Sequence, residues 1–216
     1  MRKSVALTTI ALALSLATVA RAAVLETEPQ VFPVGKAQRV HLEFPVGDLR
    51  VVPGDGDRVE LHLQVRCSRG SSADCSEFAN RLVLESRERD GVLHLHLDKF
   101  PKFRNNGLSL RGELRVPRQL AVRLEMGVGD LDVTGIEGDL DVDLGVGEAM
   151  VTLPKRTTSA VHVKTGVGEA TIVGSGTSVQ RSGVVGSSTK WVAPEGGGRS
   201  SVKLAVGVGE ATVRLD

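Results

Sequence analysis

Tyrosine is missing from this chain, tryptophan occurs once, at Trp191, and aromatic residues make up only 3% of the sequence. Stacking of single-stranded nucleic acid, and of many sugars, needs aromatic faces, so both ligand classes fit poorly. Charge of one sign is also lacking: 27 Lys and Arg stand against 26 Asp and Glu, a formal net charge of +1. No basic field is available to hold a polyanion. Cysteine is confined to Cys67 and Cys75. Their separation is wider than the usual Cys-x-x-Cys redox pair, and a metal site needs more than two ligands. Beyond the first 22 residues no apolar run is long enough to span a bilayer.

The opening stretch reads as an export signal. Met1-Arg2-Lys3 is basic, Val5 to Ala20 is mostly apolar, and Ala20-Arg21-Ala22 offers a small-x-small cleavage pattern. The organisation expected is a signal peptide over 1–22, a linker over 23–34 and one β-domain over 35–216, with no transmembrane segment in the mature chain. Removing Arg2, Lys3 and Arg21 takes the formal charge from +1 to −2. Export leads to an oxidising compartment, periplasmic or extracellular, so a structural disulfide between Cys67 and Cys75 is expected.

What the sequence has in plenty is a repeat. Gly127-Val-Gly-Asp130, Gly145-Val-Gly-Glu148, Gly166-Val-Gly-Glu169 and Gly207-Val-Gly-Glu210 are nearly identical, at spacings of 18, 21 and 41 residues. The last spacing is about two periods, with Ser182-Gly-Val-Val-Gly186 where a degraded copy would fall. An alternating run precedes each copy, such as Leu140-Asp-Val-Asp-Leu144, and a second short apolar run follows, such as Ala149-Met-Val-Thr-Leu153. Alternation with β-branched residues is the pattern of half-buried strands. One such unit cannot bury its own apolar face, so copies must stack. The fold expected is all-β, a single-stranded β-solenoid of about 20-residue rungs. Its structural corner glycines are Gly127, Gly129, Gly145, Gly147, Gly166, Gly168, Gly207 and Gly209, with the valine between each pair pointing inward.

Earlier in the chain, Val40 to Val52 follows the same grammar around Pro45-Val-Gly-Asp48 and forms a divergent first rung. Phe78, Leu82 and Leu84 point to one short helix between Ser76 and Glu85 near Cys75, and Asp90-Gly91 to a turn into a strand over Val92 to Leu97. Residues 100–106 and 196–201 read as loops.

The repeated strand, Gly-x-Gly-acid, strand pattern, together with Pro45-Val-Gly-Asp48 and Val116-Pro117, resembles the bacterial DUF4097 family of adhesin-like proteins over roughly residues 35 to 216. The resemblance implies an exported, right-handed, single-stranded β-solenoid with links in some relatives to envelope stress responses, and no catalytic residues. The Gly/Ser-rich stretch 174–201 departs from the pattern.

Chemistry-bearing motifs are sparse. Gly-Val-Gly lacks a third glycine or Gly-Lys-Ser and places an acid where a phosphate would approach, which argues against nucleotide binding. No Gly-x-Ser-x-Gly elbow with a downstream histidine exists for serine hydrolysis. Carboxylates stacked along one ladder do not face each other across a cleft as glycoside hydrolysis requires. Two cation-site candidates remain. Asp130, Glu148, Glu169 and Glu210 fall in equivalent positions and could gather calcium, although a solvated acidic edge is the simpler reading. His41, His62, His94 and His96 share the polar parity of their strands and could gather zinc, copper or nickel if those strands pair. The reading is a non-enzymatic envelope or surface scaffold without a cofactor, binding an envelope or surface protein or a matrix component. The alternative is a periplasmic metal-binding or envelope-stress sensor module.

Overall fold

A computed structural model describes residues 23–26, 28–67, 72–98, 100, 108–174, 177–183, 185–194 and 197–216. The expected signal peptide lies outside the described residues. The loop expected over 100–106 does too, apart from Phe100.

The architecture follows from a length argument on the repeat. Strands β8 (Ala121–Thr134) and β9 (Leu140–Leu153) are each 14 residues long and run parallel in register, Val122 beside Leu140 and Thr134 beside Thr152. A straight strand of that length spans roughly 46 Å. The connection 135–139 reaches less than about 18 Å, so β8 must fold back on itself to let β9 begin beside its start. The fold-back is at Gly127-Val-Gly129. Each rung is thus two half-strands facing one another across a corner. Val122, Leu124 and Met126 of the first half and Leu131 and Val133 of the second are buried between them, with Ile136 closing the open end.

Five such rungs stack. In spatial order they are β3 (Arg39–Gly54), β8, β9, β14 (Ser200–Leu215) and the pair β10 (Thr158–Val167) with β11 (Ala170–Gly174), all parallel to their neighbours. Stacking in register was expected; the order was not. The last copy in the sequence inserts between the second and third Gly-Val-Gly rungs. Ser182 to Gly186, read as a degraded rung, lies where β12 (Thr177–Ser182) passes into β13 (Val185–Val192), and both run antiparallel to β11 and β10. The chain reverses between β11 and β12, where Gly174 pairs with Thr177, and β13 returns it to the end of the rung from which β14 starts.

The other end is closed by non-repeat strands. On β3, the side opposite β8 is taken by β6 (Val92–Asp98) along its first half and β7 (Leu108–Pro117) along its second. β4 (Arg58–Cys67) runs antiparallel to β7, and β5 (Val83–Arg89) to β6 through a turn in which Asp90 and Gly91 both have positive φ. Residues 23–34, expected as a linker, carry β1 (Ala23–Glu26) and β2 (Gln30–Pro33), both paired with β4. The helix α1 covers Ser72–Arg81, four residues earlier than expected, because Val83 onward is drawn into pairing with β6. Cys67 ends β4 and is buried. The Cys75 side chain lies outside the described residues, and so does the expected bond between them.

Candidate functional site

At the corner the chain shifts parity. Even-numbered residues 122 to 126 face inward on β8, yet after the corner the inward residues are Leu131 and Val133. The shift falls between Gly127 and Val128, both exposed, just before Gly129, whose φ is +140°; Gly147, Gly168 and Gly209 have φ of +143°, +129° and +136°. A Cβ at any of these would meet the carbonyl oxygen of the corner glycine on the adjacent rung well inside contact distance. The first glycines of each pair, Gly127, Gly145, Gly166 and Gly207, lie outside the positive-φ range. They are needed because a Cβ there would strike the adjacent rung's backbone. Gly47 of Pro45-Val-Gly-Asp48, with φ of +131° against the backbone of Leu110, belongs to the same ladder and was missed as a corner residue. Its signal was visible in the shared Val-Gly-acid.

The parity shift also turns the middle valine outward, contrary to the inward orientation expected. Val128, Val146, Val208 and Val167 are 46–49% exposed, and Val185 is 79% exposed. Register places Val46, Val128, Val146, Val208, Val167 and Val185 side by side across six strands. At about 4.8 Å per strand this ridge is about 24 Å long.

Grooves flank the ridge on both sides. One, of about 1160 Å³, is floored by Gly127, Gly145, Gly207 and Gly166 and edged by Glu43, Glu125, Asp143 and Lys164. The other, of about 570 Å³, is edged by Asp48, Asp130, Glu148 and Glu210. The acidic residues do form the predicted ladder. Asp130 pairs with Glu148 and Glu148 with Glu210, while Glu169 adjoins Glu210, its carbonyl accepting the Ala211 N–H at 2.9 Å. Asp48, beside Asp130, extends the ladder and is held by Arg111 at 3.4 Å and Arg66 at 3.6 Å. Asp130, Glu148 and Glu210 make no ion pair among the described residues. On the opposite flank Arg123 bridges Glu125, Asp141 and Asp143 at 3.0, 3.0 and 3.4 Å.

Pairing of β3 with β6 brings His41 and His94 together and sets His96 beside Glu43, two residues further along the same strands. His41 and His94 approach Nδ1 to Nδ1 at 3.3 Å with rings inclined by 66°. The His41 Nε2 lies 3.2 Å from Glu125 but out of line for a hydrogen bond, so this buried nitrogen has no hydrogen-bond partner among the described residues. His96 Nδ1 is 3.0 Å from Glu43 Oε2. His62 stands apart, on β4 opposite Glu113. No three His, Cys, Asp or Glu side chains converge as metal ligands among the described residues. At the far end of the same face, His162 has its pKa lowered by burial and by Lys164, Lys190 and Lys203.

Residues 26–173 match the family model described as the N-terminal domain of toast_rack, DUF2154. No curated protein matches the chain. Among solved structures the chain is similar to a candidate cell adhesion protein of Clostridium sporogenes, at 16% identity and a TM-score of 0.54, covering 91% of this chain and 100% of that one. A candidate adhesin of Bacteroides fragilis is matched at 11% identity and a TM-score of 0.27, over 90% and 97% of the two chains. The Clostridium likeness shows a shared fold. The resemblance to DUF4097 stands at the coarser level of toast_rack-type and adhesin-named proteins.

Proposed function

Given that this chain belongs to the family of the N-terminal domain of toast_rack, DUF2154, we propose that it is a non-enzymatic interaction scaffold of the cell envelope or cell surface. The observation that carries the reading is the exposed valine ridge. Scattered exposed valines are ordinary, but five in register, continued by the half-buried Val46 and bordered by bare glycine backbone, form a continuous apolar strip that a solvated surface has no use for. The adhesive role in the name of the Clostridium fold neighbour agrees with it. Export by the 1–22 leader, a Cys67–Cys75 bond and kinship with DUF4097 are parts of the same proposal. Among the described residues no helix is long and apolar enough to cross a membrane.

The test is retention of envelope components by the immobilised mature protein, compared with a Val128→Ser, Val146→Ser, Val208→Ser variant. Retention by the wild type and its loss in the variant are expected. Equal retention by both overturns the reading. Thiol labelling of unfolded, unreduced protein checks the disulfide and should give no signal.

A second reading, a periplasmic metal-binding module, is favoured by the 3.3 Å approach of His41 and His94. That separation is close to the edge of a tetrahedral zinc site with Zn–N bonds of about 2.0–2.1 Å. Equilibrium dialysis with zinc, copper and calcium tests it, and no binding below millimolar concentration removes it.

A further inference from the structure

We propose that the valine ridge and the acidic ladder beside it form a docking surface for a cationic amphipathic helix. Resting on the scaffold reading above, this names the partner's chemistry. The helix lies along the ridge, across the strands, its apolar stripe on Val128, Val146 and Val208 and its Lys or Arg flank over Asp130, Glu148 and Glu210.

Three observations select this occupant. The first is charge. Among the described residues the central acids make no ion pair, whereas the neighbouring carboxylates at Asp48 and Asp143 are already bridged by arginines. Like charges about 4.8 Å apart repel, and the repulsion is relieved by a cationic partner and by no anionic one. That also disfavours a second copy of this chain. A parallel copy would set its acidic ladder toward Glu125 and Asp143, and an antiparallel copy acid against acid. The second observation is pitch. The ridge repeats every 4.8 Å or so, which is nearer to the 5.4 Å turn of a helix than to the roughly 6.7 Å same-face repeat of an extended strand. The third is access. The row beside each valine is glycine, which lets a helix backbone approach closely, and the ridge length of about 24 Å accommodates about 16 helical residues.

The probes are synthetic helical peptides of about 16 residues: a Leu/Lys peptide with one apolar stripe, a scramble of it without the stripe, a Leu/Glu counterpart, and an alternating Val/Lys peptide that favours extended structure. Fluorescence anisotropy measures binding at low and at physiological salt. The Leu/Lys peptide should bind the wild type about tenfold or more tighter than the other three. The valine triple variant should weaken it about tenfold. Asp130→Asn with Glu148→Gln and Glu210→Gln should weaken it and flatten its salt dependence. Each variant is checked for wild-type circular dichroism, and Val146→Ser alone replaces the triple if that fails to fold. Equal binding of the scramble, preference for the Val/Lys or Leu/Glu peptide, or indifference to both variants overturns the proposal. So does valine-dependent binding of neutral lipid vesicles tighter than the peptide. If envelope capture depends on the valines while the Leu/Lys peptide does not bind, the helix is the wrong occupant and the scaffold reading stands. If the peptide binds as described while envelope capture ignores the valines, the scaffold reading fails and the surface chemistry stands.

Discussion

At the last inward position before the corner, β8, β9 and β14 carry Met126, Leu144 and Val206, while β10 carries Thr165 and its outer neighbour β13 carries Ser187. All five are buried. The central rungs therefore close on hydrocarbon and the terminal rung on hydroxyls. The cause is the carbonyl of the corner glycine. In the centre it faces the next parallel corner; at Gly168 the outer neighbour is antiparallel and has no matching corner. Thr165 Oγ1 donates to the Gly168 carbonyl at 3.0 Å and Ser187 Oγ at 2.9 Å, which satisfies a buried acceptor that stacking no longer serves. A repeat can end where side chains take over the hydrogen bonds that the next copy would have made.

The sharpest way to break this comparison is to put a side chain on a stacked corner. Gly147→Val combines positive φ with a clash against the Gly129 backbone, and should cost about 3–5 kcal/mol in urea unfolding. Gly186 also has positive φ, at 65°, but nothing lies within 4 Å of its absent Cβ. Gly186→Ala should cost only about 1 kcal/mol. Equal losses at the two positions would mean that Gly147 is constrained by φ alone and that stacking contributes nothing.

Next in size is the inward row itself. Leu144→Ala leaves a cavity between two well-packed rungs, an expected loss of about 2–5 kcal/mol. Thr165→Val keeps the volume, and the Ser187 hydroxyl, whose one proton is shared between the Gly168 and Gly183 carbonyls, still reaches the former, so a change of about 1 kcal/mol is expected. A loss at Thr165→Val as large as at Leu144→Ala would show that the two hydroxyls act as one network.

Much of this was legible in the chain. The Gly-x-Gly-acid motif marked the corners, the alternation marked the half-strands, and equivalent positions marked the acidic ladder. The valine orientation was misread because alternation was continued through the corner, where two consecutive residues, Gly127 and Val128 and their equivalents, both face outward. Rung order was illegible because the four copies have interchangeable flanks: Val202 to Leu215 fits beside Leu140 to Leu153 as well as any other copy does. The contact of His41 with His94 needed the pairing of β3 with β6, strands separated by β4, α1 and β5, which no local signal specifies.

Smaller effects separate charge from architecture. Glu148→Gln sits on an exposed ladder between Asp130 and Glu210, so it should shift stability by no more than about 0.5 kcal/mol, in the stabilising direction at low salt. A loss of several kcal/mol seen only with calcium present would make the ladder a cation site.

The faintest contrast is electrostatic and lies at His162. Where the central rungs expose Glu125, Asp141 and Asp143, the terminal rung and its neighbours place Lys164, Lys190 and Lys203 around this histidine. Burial and these lysines lower its pKa below the ordinary 6.5 in the folded state. The folded protein then prefers neutral His162, and the unfolded chain binds the extra proton. Stability from this group is full above the unfolded pKa and declines as pH falls from there through the folded pKa. His162→Gln should remove that part of the decline, so its urea midpoint should fall less than that of the wild type between about pH 7.5 and 5.5. Added salt should shrink the difference, because the lysines act through solvent while burial does not. Identical declines in the two proteins would mean that the lysines leave His162 unperturbed, and that the charge contrast between centre and end carries no weight in stability.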